Sequence, residues 1–229
     1  MKKILNKSRF IAHRGLSSKY FENTILSFKA AAELPFYGIE TDIHLTKDNI
    51  LITHHDHFMK DYNNNIYNLS EYNYLELNEI FYEQNKNVLP LLSDYLKVCK
   101  ASNKKAIIEI KPLFNLDNIN KLFNEINKYK MLKESIIISF HLENLKLIIK
   151  INKNIPLQYL IGDLKDENIV NKAISDGFDI DIHHNLITKE LIDNIKKSNK
   201  LINCWTVNDL KKIKKLIKLG VDYITTDGF

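Results

Sequence analysis

Apolar residues recur along this chain in two alternating rhythms. Short β-branched runs fall at residues 10–14, 38–45, 106–111, 135–140, 156–161, 178–183, 201–207 and 221–225, each with the length and composition of a strand. Between them, apolar positions return every three to four residues over 24–34, 92–101, 116–130, 142–151, 166–176, 188–197 and 208–219, the spacing of an amphipathic helix. Strand and helix in alternation predict an α/β fold with parallel strands. Eight such units predict a (β/α)8 TIM barrel, with short helices, because 229 residues is slightly fewer than the roughly 250 typical of that fold. A doubly wound open sheet is the competing arrangement, but no Gly-rich loop follows the first strand.

Punctuation fits this frame. Asn23, Asp166 and Thr188 stand at or just before the start of periodic segments as helix caps, with Glu190 a loose echo of a capping box after Thr188. Gly177 and Gly220 follow helices where a left-handed residue is easiest for glycine. A ninth apolar run, 50–54, is separated from the second strand by the polar turn Lys47-Asp48-Asn49 and reads as an antiparallel hairpin partner. Residues 57–90, rich in Asn and Tyr and without regular period, read as an insertion near the barrel mouth, the kind of long segment that carries function or covers a site. No linker or repeat divides the chain, so residues 1–229 are expected to form one domain.

Composition narrows the function classes. Hydrophobic residues at 45% and charged residues at 27% exclude a disordered chain. The net charge of +5 is spread over segments such as 211–218, where Lys alternates with Ile and Leu at helical spacing. That pattern is a solvated helix face, and with Arg9 and Arg14 the only arginines it gives no nucleic-acid surface. Cys99 and Cys204 lack metal-ligand or CxxC spacing and are expected to be buried reduced thiols. The basic segment 1–10 lacks a signal peptide's apolar stretch, and no run of about 18 apolar residues occurs, so a soluble, cytoplasmic protein without stable membrane insertion is the expectation.

Chemistry concentrates at a few strand ends. In the second strand Glu40 and Asp42 point one way while Ile39, Thr41 and Ile43 point the other. Two carboxylates in one small volume are costly without a cation between them, and a hard ion such as Ca²⁺ or Mg²⁺ offsets that cost. On the third barrel strand Glu109 and Lys111 alternate with isoleucines. Glu109 is a third metal ligand and Lys111 a contact to an anionic substrate, or the two form an internal ion pair. The first strand ends in His13 and Arg14, at the end of the barrel where active sites lie, and Gly15 permits a sharp exit. Arg14 offers a planar fork for phosphate. The hairpin register returns His55 to the level of Glu40 and Asp42 and turns His54 away. Two imidazoles beside a cation, with an arginine and a lysine, supply acid, base and anion clamp for phosphodiester cleavage.

The order His-Arg-Gly at 13–15, Glu-Asn-Thr at 22–24, Glu-x-Asp at 40–42, Thr-x-Asp at 46–48 and His-Asp at 55–56 resembles the opening signature of the glycerophosphodiester phosphodiesterases. Later IEIK at 108–111, SF at 139–140, WTVN at 205–208 and VDYITTD at 221–227 keep that family's order, so the resemblance spans nearly the whole chain. It implies a barrel of the phospholipase-C-like superfamily that cuts a glycerophosphodiester to sn-glycerol 3-phosphate and an alcohol, through attack by the glycerol 2-hydroxyl and a cyclic phosphate. His13 and His55 would be general acid and base, Glu40, Asp42 and Glu109 the metal ligands, and Arg14 and Lys111 the grip on phosphate. Glu22 would orient Arg14 or His13, or else serve a helix dipole. Trp205 would wall the glycerol or alcohol group, or serve the core, with Phe140 lining the pocket; His183 and His184 are expected in packing or solvent. Two departures are visible: HFMKDYNNNIYNL follows His55-Asp56 where relatives carry an Arg-Thr-Thr type segment, and TTDGF stands where relatives place a proline and a further helix. A lysophospholipid- or sphingolipid-directed enzyme on the same fold, and a silent barrel that only binds glycerophosphodiesters, are the alternative readings.

Overall fold

The computed structural model describes residues 9–166 and 168–228. In chain order these form β1 (Arg9–Ala12), α1 (Ile25–Ala32), β2 (Gly38–Leu45), β3 (Leu51–Thr53), β4 (Phe58–Lys60), β5 (Ile66–Asn68), α2 (Tyr74–Asn85), α3 (Leu92–Ser102) and β6 (Lys105–Ile110). There follow α4 (Leu116–Lys128), β7 (Ser135–Ser139), α5 (Leu142–Ile151), β8 (Leu157–Ile161), α6 (Ile169–Ser175), β9 (Asp179–His183), α7 (Lys189–Lys197), β10 (Ile202–Trp205), α8 (Leu210–Leu219) and β11 (Tyr223–Thr226). Parallel pairing runs β1-β11-β10-β9-β8-β7-β6-β2, and β1 also pairs with β2, which closes the eight-stranded barrel expected from the sequence. β3 lies antiparallel on β2, with Ile43 opposite Thr53, as the hairpin pattern predicted. Segment 1–8, on which the expectation of a leaderless cytoplasmic chain rests, lies outside the described residues, as do Glu167 and Phe229. Among the described residues no helix is long and apolar enough to cross a membrane.

Strand alternation decides what the lumen contains. Phe10, Ala12, Ile39, Ile43, Ile108, Ile110, Ile180 and Ile182 belong to the core between strands and helices, and the phenylalanine and each isoleucine contribute about 1.5–3 kcal/mol by their burial. Ile11, Ile107, Ile136, Ile138, Leu160 and Tyr223 fill the barrel interior. Because Ile39 and Ile43 face the helices, Glu40 and Asp42 must face the lumen; Glu109 follows from Ile108 and Ile110 in the same way. A one-residue slip of β2 would bury both acids against helices and expose the isoleucines to the site, so the hydrophobic pattern also aims the carboxylates. Cys99 and Cys204 are buried thiols, as expected.

Two expectations are corrected. Residues 57–90 have regular structure: β4 pairs with β5, α2 follows, and Ile52, Met59, Leu69, Leu77, Phe81 and Leu89 form a separate small core beneath them. Helical period was hidden there because only Leu77 and Phe81 of α2 are buried, while Tyr and Glu crowd its outer face. The cap assignments also shift. α1 is capped by Thr24, which exchanges hydrogen bonds with Ser27, and Asn23 turns inward instead. α6 begins after Asn168, with Asp166 accepting from the Asn168 N–H, and Thr188 caps α7 by accepting from the Leu191 N–H without help from Glu190. Gly177 and Gly220 hold φ of +92° and +103°, the conformation expected of them.

Candidate active site

The chain leaves β1 through two left-handed residues, Arg14 at φ +53° and Gly15 at φ +81°. A Cβ on Gly15 would stand 2.5 Å from Ser27 Oγ, so glycine is required at this exit. The turn aims the Arg14 N–H at Glu40, donating to Oε2 over 2.8 Å. It also sets His13 beside the last strand, with Nδ1 2.7 Å from Asp227 Oδ1. Asp227 accepts further bonds from Ser17 Oγ at 3.1 Å and Asn208 Nδ2 at 2.5 Å. The bond from His13, ahead of the others, holds the Asp227 carboxyl down at about 2.

β2 and β6 bring three carboxylates together. Asp42 lies opposite Glu109 in the strand register, and ligand oxygens of Glu40, Asp42 and Glu109 all lie within 4.8 Å of one another. Glu40 Oε1, Asp42 Oδ1 and Glu109 Oε1 are buried without a hydrogen-bond partner. Burial and then the neighbouring carboxylates push Glu40 well above the ordinary range and Glu109 up to about 8. Asp42, against the effect of its own burial, is held low by Arg14 and Lys111. Three orphaned acidic oxygens in so small a volume form a set that a hard divalent cation satisfies and that protein donors here do not. The trio anticipated from the sequence is therefore assembled, and its donor chemistry fits Ca²⁺ or Mg²⁺.

Two cations flank the trio. Arg14 Nη1 donates to both carboxylate oxygens of Glu22 at 2.9 Å, and Nε stands 3.3 Å from Asp42 Oδ2. Lys111 Nζ is 3.0 Å from Glu109 Oε1, paired in charge but off the hydrogen-bonding direction that would satisfy that oxygen, and 3.6 Å from Asp42 Oδ1. The Glu109–Lys111 ion pair weighed from the sequence thus forms, and it forms at the rim of the acidic cluster. Although burial opposes charge on both, Asp42 acts on Arg14 and Glu109 on Lys111 to keep each firmly protonated.

β3 delivers His55. The His54 N–H donates to the Asp42 carbonyl at 3.1 Å, which fixes the chain beside Asp42 as it leaves the hairpin. His55 Nδ1 is 2.8 Å from Asp56 Oδ1. Burial, with Lys111 and Arg14 adding and Asp42 opposing, lowers the His55 pKa, so its ring is neutral at neutral pH. His54 packs its ring edge-on to Phe81 at 6.4 Å and sets Nδ1 3.0 Å from the Asp56 carbonyl. His44, driven to about 3 by burial, stays neutral and braces the loop through Nε2, 3.3 Å from the His55 carbonyl.

Trp205 projects from the end of β10 against the lumen cluster, with Phe140 edge-on at 5.6 Å and His183 at 5.3 Å. Its indole Nε1–H is buried without a partner, a donor for an oxygen of a bound ligand. His183 stacks on His184 at 4.5 Å. Sequence reasoning missed Asn23: its Nδ2 donates to Asp42 Oδ2 at 2.9 Å while its Oδ1 accepts from Thr41 Oγ1 at 2.7 Å. It also missed Asp227 with Ser17 and Asn208. For Asp227 one signal was present, since alternation with Tyr223 and Thr225 turns it inward at the mouth.

Four findings place this architecture among known proteins. The sequence model described as the Glycerophosphoryl diester phosphodiesterase family matches residues 13–229. A glycerophosphodiester phosphodiesterase of Bacillus altitudinis is 32% identical over 96% of this chain and 94% of its own length. Among solved structures, a glycerophosphodiester phosphodiesterase from Parabacteroides distasonis superposes with a TM-score of 0.81 at 29% identity, covering 96% of this chain and 93% of that one. A phosphodiesterase from Oleispira antarctica, solved in complex with the product sn-glycerol-3-phosphate, gives 0.86 at 20% identity over 96% and 92% of the two chains, a likeness of fold. The match over almost the whole length means that this chain belongs to the glycerophosphoryl diester phosphodiesterase family.

Proposed function

We propose that this enzyme hydrolyses glycerophosphodiesters to sn-glycerol 3-phosphate and an alcohol, with a divalent cation held by Glu40, Asp42 and Glu109. The observation that carries the reading is the convergence of those three orphaned carboxylate oxygens with Arg14, Lys111, His13 and His55 at one end of the barrel. When bound, the cation supplies charge stabilisation to the phosphoryl oxygens. Arg14, oriented by Glu22, and Lys111 hold the phosphate and offset the negative charge that grows on it. His55, neutral at neutral pH, takes the proton from the attacking glycerol 2-hydroxyl. His13, steadied through Nδ1 by Asp227, gives a proton to the departing alcohol as the phosphorus–oxygen bond breaks. Water then opens the cyclic phosphate with the two roles reversed. Trp205 offers an apolar face and one N–H to the glycerol or alcohol portion.

The test is release of glycerol 3-phosphate from glycerophosphocholine or glycerophosphoethanolamine with added Ca²⁺ or Mg²⁺, repeated in chelator. Turnover should stop in chelator and in both His13→Ala and His55→Ala while the circular dichroism spectrum is retained. Near-wild-type rates in either variant would remove that histidine from proton transfer. Tight calorimetric binding without product over hours would replace the enzyme with a binding protein for these diesters.

A further inference from the structure

We infer that a cleft beside His13 receives the departing alcohol and selects one that carries a primary ammonium group. The inference rests on the proposed activity, in which His55 serves the attacking hydroxyl and His13 the leaving oxygen. Those two oxygens stand in line across phosphorus, so the alcohol departs on the His13 side. A cleft of about 310 Å³ lies there, and its described lining is Ser17, Ser18, Glu22, Asn208, Asp227 and Gly228. It has room for about ten waters, enough for an alcohol of a few heavy atoms. Two of its residues touch the site itself, since Asp227 is bonded to His13 and Glu22 to Arg14.

Where the donors of the wall point decides what the cleft accepts. Ser17 Oγ has the His13 carbonyl at 2.8 Å and Asp227 Oδ1 at 3.1 Å to donate to, and Asn208 Nδ2 donates to Asp227 Oδ2. The Ser18 N–H donates to the Asp227 carbonyl and the Asp227 N–H to Asn208 Oδ1, each at 3.0 Å. These donors are spent within the wall. The carboxylates of Glu22 and Asp227 remain open, 37% and 32% exposed, with no lysine or arginine among the described lining residues. Arg14, the partner of Glu22, is shared with Asp42, so Glu22 has no cation of its own. An anionic head group meets like charge here, whereas an ammonium with N–H groups finds charged acceptors. A quaternary ammonium has no N–H to give and is recognised by aromatic faces; no aromatic residue is in the described lining.

The experiment measures kcat/KM of the full chain, with added Ca²⁺ or Mg²⁺, for glycerophosphoethanolamine, for its neutral isostere the 1-propanol ester, and for glycerophosphocholine. The ethanolamine ester is expected at least about tenfold ahead of the propyl ester, with the choline ester behind the ethanolamine one. Ser18 is exposed in the wall of the cleft and its side chain has no part in the proposed chemistry. Ser18→Lys should lower the ethanolamine-to-propyl ratio about tenfold, and Ser18→Gln should keep it, while both variants cleave the propyl ester as wild type does. Equal values for the ethanolamine and propyl esters in wild type overturn the inference, as does a ratio in Ser18→Lys no lower than in Ser18→Gln. A choline ester that matches the ethanolamine ester overturns the choice of a primary ammonium. If no ester is cleaved, the proposed activity fails, and dissociation constants of the ethanolamine and propyl esters read by calorimetry decide the cleft in its place: about tenfold tighter binding of the former supports it and equal binding overturns it.

Discussion

His13 Nδ1 and Asp227 Oδ1 stand 2.7 Å apart although 214 residues separate them in the chain. The bond joins the exit of β1 to the end of β11, the two strands that meet as the barrel closes. It fixes the Nδ1–H tautomer of His13 and leaves Nε2 for the proton exchange proposed above.

Asp227→Asn should therefore lower kcat by about 10- to 100-fold with little change in KM, and should distort the pH–rate profile. An amide can still bond to Ser17 or Asn208, so the fold should survive. A variant with the wild-type profile and kcat would leave Asp227 a merely structural residue.

Glu109 sets the behaviour of the metal-free protein. Its carboxyl, ordinarily near 4.5, is pushed to about 8 by burial and Asp42, so the folded state keeps a proton that the unfolded chain releases. That contribution to stability is complete below the unfolded value and is lost as pH rises through about 8. In chelator, Tm should fall between about pH 5 and pH 9. Ca²⁺ or Mg²⁺ should restore it and release protons on binding, because the ligands must ionise. Calorimetry in buffers of different ionisation enthalpy reads those protons directly; a Tm flat with pH in chelator would contradict the buried raised acid.

Asn23 holds Asp42 and Thr41 while its own backbone sits at φ +55°. Asn23→Ala loses its side-chain bonds to Asp42 and Thr41 and strains the left-handed backbone, a cost of about 1–3 kcal/mol, together with weaker metal binding. Asn23→Gly relieves the strain but not the lost bonds. Urea denaturation of the two variants separates the effects, and equal stability to wild type in both would show that Asp42 needs no support from this amide.

Glu22 orients Arg14 through both carboxylate oxygens yet is 37% exposed. Water screens such a pair, so Glu22→Gln should cost about 1 kcal/mol or less, which corresponds to roughly a fivefold rise in KM with a smaller effect on kcat. A large fall in kcat at constant KM would instead give Glu22 a part in the chemical step.

What the sequence determined by itself was periodic and local. Ile39, Ile43, Ile108 and Ile110 bury toward the helices, and period two then turns Glu40, Asp42 and Glu109 into the lumen without any knowledge of the neighbouring strands. The eight strands, the β2–β3 hairpin and the exit at His13-Arg14-Gly15 were legible for the same reason, since each is encoded within a few residues. Tertiary structure alone decided the partners. Asn23 looked like a cap because the residues beside it are polar and open a helix, yet its left-handed backbone gives the cap to Thr24 and sends the amide to Asp42. Asp227 meets His13 only because eight strands close on themselves, and α2 stayed hidden because its apolar stripe is narrow and packs on a small core of its own. Facing along one strand follows from short-range geometry; contact between distant segments follows from closure and packing, which no stretch of sequence carries by itself.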